Sequence, residues 1–88
     1  MVLPRLRSLW FSPHSYERAA YLSALMTLDP SGARRRLVEG LWDCEANVRL
    51  LSATHVLLDK HTSERLRYLR DDPIETAEVR TAAAARLA

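Results

Sequence analysis

Helix breakers are scarce in this chain. Its 88 residues include two glycines, Gly32 and Gly40, and four prolines, Pro4, Pro13, Pro30 and Pro73. A sequence so poor in breakers, and rich in Ala, Leu and Arg, favours helix throughout. Cys44 is the only cysteine, so no internal disulfide can form, which fits a reducing compartment. No apolar run is long enough to cross a bilayer. The opening MVLPRLRSLWF lacks the continuous apolar stretch of a signal peptide. Together these point to a soluble, cytoplasmic protein with no membrane partner. Charge of one sign is also lacking: the formal net charge is +2. That is weak support for nucleic-acid binding, which concentrates cations on one face. The length allows one domain, 1–88, with a marginal core.

Repetition is the strongest positive signal. Leu9-Trp10 recurs as Leu41-Trp42, 32 residues later, and Tyr16 and Val48 keep the same offset. Val79, 31 residues beyond Val48, opens a third and looser copy. Four residues after these anchors stand the small side chains Ala20, Ser52 and Ala83; nine residues after them come Leu25, Leu57 and Ala88. In the third copy Leu69 takes the place of Leu-Trp, and the turn DDPIETAE is longer.

Turn and cap signals agree with this register. Ser12 precedes Pro13 at a helix start, and Asp29-Pro30-Ser31-Gly32 is a turn cluster. Asp43 suits the cap of the helix that carries Val48, Thr62 or Ser63 caps the next, and Thr76 caps the last. The spacing predicts six helices over about 4–11, 13–28, 33–42, 44–59, 63–70 and 76–88. In 33–42, Ala33, Leu37, Val38, Leu41 and Trp42 form one apolar stripe. In 44–59 the apolar residues cover more than half the circumference, so that helix must pack on more than one side.

The segments LWDCEANVRLLSATHVLL and LRDDPIETAEVRTAAAARL resemble HEAT repeats, including the PBS-lyase HEAT-like variant. Asp43, Val48, Arg49, Ala53 and Leu57 match that pattern, as do Asp72, Val79, Arg80, Ala83, Ala84 and Leu87. The first copy departs from it, with Tyr16-Glu17 in place of Val-Arg, as a terminal repeat often does. The resemblance implies an all-α fold: a short right-handed α-solenoid of three antiparallel helix hairpins, with repeats at about 1–29, 30–60 and 61–88. It also implies that Asp43, Arg49, Asp72 and Arg80 tie adjacent turns and repeats together.

Several groups of polar residues are candidates for chemistry. Ser52, His55 and Asp59 fall at i, i+3 and i+7, on one helical face. A triad also needs an oxyanion hole, and mid-helix amides are already used within the helix, so the group reads as a polar stripe. His55 with Asp59 could hold a metal, but His14, His61 and Cys44 lie elsewhere. Cys44 at a helix start has no His or second Cys beside it. Trp10 and Trp42 read as core, and there is no Gly-rich phosphate loop. The expectation is a non-catalytic scaffold without cofactor or metal that binds another protein.

Solenoids bind through an extended surface. The second helices of the hairpins supply Glu17, Glu45, Arg49, Ser52, Asp59 and Arg80 as candidate contacts. Nucleic acid is the alternative partner, through Arg34, Arg35, Arg36, Arg65, Arg67 and Arg70. The last helix, TAAAARLA, has almost no polar outer face, which suggests self-association through the C-terminal helix.

Overall fold

The computed structural model describes residues 15–88, with side chains described from Glu17 onward. The expected helix over 4–11, Leu9-Trp10, the Ser12-Pro13 start and His14 lie outside the described residues, as does the side chain of Tyr16. The described residues form five helices and no strand: α1 (Ser15–Leu28), α2 (Pro30–Gly40), α3 (Ala46–His55), α4 (Lys60–Asp71) and α5 (Ala77–Leu87). The fold of this region is all-α.

Two helix starts differ from the pattern-based reading because aspartates cap them. α2 begins at Pro30 rather than 33, since the Asp29 carboxylate accepts from the Gly32 amide and Pro30 fills the first turn. The turn cluster is therefore the cap itself. α4 begins at Lys60 rather than 63. The Asp59 carboxylate accepts from the Thr62 amide at 2.8 Å, while Thr62 Oγ1 accepts from the Asp59 amide at 2.9 Å. This closes a capping box with Thr62 in the position usually taken by Glu or Gln. α3 ends at His55, four residues earlier than expected, because Val56 turns extended, with φ −62° and ψ 143°. Thr76 caps α5 as read from the sequence, accepting from the Val79 amide.

α1 packs against α2 and α3, α2 against α3, α3 against α5, and α4 against α5. α3 thus has three helical neighbours, as its wide apolar surface requires. The core comprises Tyr21, Leu22 and Leu25 of α1, Ala33, Leu37 and Leu41 at α2, and Val48, Ala53 and Val56 at α3. Leu66 and Leu69 of α4, with Val79 and Ala83 of α5, complete it. At Gly40 two helices come into close contact. A Cβ built there would lie 2.0 Å from Ser52 Oγ, so α2 and α3 touch backbone to side chain.

The packing revises the repeat length. Tyr21, Ser52 and Ala83 are buried at equivalent places, spaced by 31 residues throughout. Ala20, the expected small residue of the first copy, is exposed. Leu25 is buried as anticipated, but its counterpart 31 residues on is Val56, one position before the expected Leu57, which is 65 % exposed. The 32-residue match of the Leu-Trp pairs therefore does not carry into the helices that follow them.

Candidate interaction surfaces

The 31-residue spacing brings Arg18, Arg49 and Arg80 into one register. Arg18 stands one place after the Tyr16-Glu17 pair that interrupted the sequence motif. Its Nε and Nη2 donate to the two carboxylate oxygens of Asp43 in the α2–α3 turn, at 3.1 and 3.0 Å. Arg49 does the same in the next turn. Its Nε and Nη2 donate to Glu75 at 2.7 and 2.8 Å, and its Nη1 donates to the Asp43 carbonyl at 2.9 Å. Two-pronged pairing of this kind is directional as well as strong. Hydrogen bonds from Arg49 hold the Glu75 carboxyl below its ordinary range, against the opposing effect of burial. The carboxylate partners in turn hold both guanidiniums above their ordinary value.

The longer third turn divides what Asp43 does alone. Asp43 pairs with Arg18 and also accepts from the Glu45 amide two residues on. In the α4–α5 turn, Asp72 accepts from the Ile74 amide and Glu75 receives the arginine. Arg80, third in the series, is exposed and donates to the Arg70 carbonyl at 3.3 Å.

The six residues proposed as partner contacts separate on this framework. Ser52 is completely buried against Gly40, so it presents no surface. Arg49 is engaged with Glu75, and Asp59 caps α4. Glu45 is the partly buried N-cap residue of α3, Glu17 lies partly buried in the first turn of α1, and Arg80 is open to solvent. The Ser52–His55–Asp59 face does not exist as a helical face, because α3 stops before Asp59. Among the described residues no cluster of His, Cys, Asp and Glu could hold a metal.

The six arginines of the nucleic-acid alternative separate in the same way. Arg36 pairs with Glu39, and Arg70 with Asp71. Arg34, Arg35 and Arg67 are exposed and make no ion pair among the described residues. Arg65 is held by its Nε bond to the Leu41 carbonyl at 3.1 Å.

Arg65 belongs to an array that the sequence reading missed. Trp42, expected in the core, is 46 % exposed just beyond α2. Its ring stacks on His61 at 5.1 Å between centroids and 19° between planes. The Arg65 guanidinium lies 5.0 Å from the Trp42 ring and 4.7 Å from the Tyr68 ring. His61, Arg65 and Tyr68 occur at i, i+4 and i+7, one face of α4; that spacing was the available signal. Tyr68 is 58 % exposed and Ile74 still more so. A separate groove of about 530 Å³ runs between α1 and α3, bordered by Ala20, Ser23, Leu50, Leu51 and His55.

Arg86 makes a further contact between helices. Its guanidinium donates to the carbonyls of Ala53, Thr54 and Val56, which the early end of α3 leaves without intrahelical partners. Arg86→Met keeps much of the apolar stem and removes all three bonds. It is expected to cost about 2 kcal/mol, seen as a lower urea midpoint with an unchanged slope. An unchanged midpoint would show that water replaces the guanidinium at no cost.

No helix among the described residues is long and apolar enough to cross a membrane. No family model, curated protein or solved structure matches this chain.

Proposed function

We propose that this chain is a HEAT-like helical-repeat module, a short right-handed α-solenoid of stacked hairpins, that binds another protein without catalysing a reaction. The repeated passage of an arginine into the following turn, Arg18 to Asp43 and Arg49 to Glu75, supports the stacked arrangement. The expected setting is the cytoplasm, in keeping with the lone Cys44.

The Trp42–Arg65–Tyr68 array carries the binding reading. Trp, Tyr and Arg dominate the binding energy of protein interfaces, above all when they are held in place before the partner arrives. Here the Leu41 carbonyl and two aromatic rings fix the Arg65 guanidinium. This moves the favoured surface from the second helices of the hairpins to the side formed by the end of α2 and by α4.

Quantitative affinity capture with the wild-type chain and with Trp42→Ala/Tyr68→Ala tests the reading. At least one specific partner should weaken by about 2 kcal/mol, roughly 30-fold in Kd, while the helical circular dichroism is retained. An identical partner set at identical occupancy would remove this surface from consideration.

A second reading draws on the same array together with Arg34, Arg35 and Arg67, which are exposed and make no ion pair among the described residues. Single-stranded nucleic acid binds by stacking bases on aromatics beside a cationic track. Such binding must weaken steeply as salt rises, so a titration of single-stranded RNA and DNA at two salt concentrations separates the two readings.

A further inference from the structure

Arg18 and Arg49 each hold a carboxylate in the following inter-helix turn. Arg80 stands in the same register and holds none among the described residues. It is exposed and bonds the Arg70 backbone, and the nearby Asp71 is already bridged to Arg70 at 2.8 Å.

Its surroundings repeat as well. Ala46, Val48, Arg49 and Ala53 of α3 recur as Ala77, Val79, Arg80 and Ala84 of α5. α3 packs on α5, Arg49 grips Glu75 in the turn before α5, and Ala53 is fully buried. On α5, Ala77 and Thr81 are exposed and Ala84 is only partly covered. With Arg70 and Arg80 they border a shallow depression of about 380 Å³. The face of α5 thus repeats a surface that is occupied within the same chain, including the cation that selects the occupant.

We propose that the Ala77–Arg80–Ala84 face of α5 docks a helix hairpin of a partner protein whose inter-helix turn carries a carboxylate, received by Arg80 as Arg49 receives Glu75. The small side chains let the incoming helix approach closely, and the guanidinium fixes its register by two-pronged pairing. This rests on the repeat reading and is independent of the Trp42–Tyr68 surface, so either can fail without the other.

The probe is a hairpin known to fit the equivalent surface. The full chain is continued directly after Ala88 by a second copy of residues 58–88. The copied Glu75 then follows Arg80 at the 26-residue separation of Arg49 and Glu75. The extended chain should melt in one transition, above the melting temperature of the 88-residue chain. Arg80→Ala should lower the melting temperature of the extended chain by on the order of 5 °C and barely move that of the parent. Changing the copied Glu75 to Gln should remove the same increment, without adding to the Arg80→Ala effect. Equal responses of the two chains to Arg80→Ala, or separate melting of the appended hairpin, would overturn the proposal. So would an Arg80-dependent dimer of the parent chain in sedimentation, which would place a second copy on this face instead.

Discussion

Arg49→Ala should lower the unfolding free energy by about 3 kcal/mol. The side chain of its partner Glu75 is only 3 % exposed, so removing the guanidinium leaves a carboxylate largely out of water, with only the Thr76 amide and the charge of Arg65 to offset the burial. The same change releases the Asp43 carbonyl, so the α2–α3 and α4–α5 turns both lose an attachment. Glu75→Gln should be milder, since a neutral amide tolerates burial better than an unpaired charge does.

The pH dependence separates this cause from simple loss of packing. In the native pair the Glu75 carboxyl is held below its ordinary range, first of all by the hydrogen bonds from Arg49. The stabilisation is therefore complete above the unfolded carboxyl value, about 4.3. It is lost as pH falls through the lower folded value. In Arg49→Ala the largest cause of the lowering is gone, burial then opposes only the Thr76 amide and the charge of Arg65, and the folded value moves up toward the unfolded one. The variant therefore loses less stability than wild type on acidification, and the gap between them should narrow through the carboxylate range. Urea midpoints measured between about pH 3 and 6 decide the matter. A gap that widens on acidification would mean that the Arg49–Glu75 pair is not the source of the loss.

Gly40→Val should be comparably damaging, at about 3 kcal/mol, or on the order of 15 °C in melting temperature for a domain of this size. No glycine among the described residues has a positive φ, so the requirement at Gly40 is space. Its absent Cβ would meet Ser52 Oγ at 2.0 Å, and Ser52 Cβ and Val48 Cγ1 at 3.2 Å each. Ser52 and Val48 are both fully buried on α3, so the helices must separate to admit a branched side chain. Ser52→Ala provides the control. Ser52 Oγ is buried with no hydrogen-bond partner among the described residues, so its removal should be neutral or slightly stabilising. It should also make Gly40→Ala better tolerated. Wild-type melting of Gly40→Val, measured by circular dichroism, would show that the α2–α3 contact yields freely.

Both effects turn on contacts that the sequence revealed unevenly. The helices themselves were legible, because apolar spacing and the Thr76 cap sit where the chain is regular. Their ends were less so. Leu57 and Leu58 prolong the apolar pattern of α3, yet α3 stops at His55 and both side chains are exposed. Apolar periodicity reports what a residue could bury, whereas the end of α3 is set by the extended turn at Val56 and the aspartate cap two residues beyond Leu57. The repeat was visible, but the match of Leu9-Trp10 to Leu41-Trp42 favoured 32 residues. The helices keep 31, and the shift by one hid Arg18 behind Glu17.

The candidate surface was legible in part. The family resemblance gives Asp43 and Arg49 a tying role, but it gives none to Glu75, which takes the charge of Arg49. A lengthened turn moves the acid along the chain, and only the folded path shows where it returns. In the sequence Trp42 reads as core because it closes the apolar stripe of 33–42 and matches Trp10 in the repeat. It lies just past α2, where the chain turns toward α3, and α4 brings His61 and Arg65 alongside it.

The two arginine clamps have a consequence for how this chain unfolds. Arg18 joins α1 to the α2–α3 turn and Arg49 joins that turn and α3 to the α4–α5 turn, so the clamps act in series. An all-or-none transition then depends on the boundaries more than on the helices. If one boundary weakens, the helices on its two sides become separate cooperative units, each with a stability of its own.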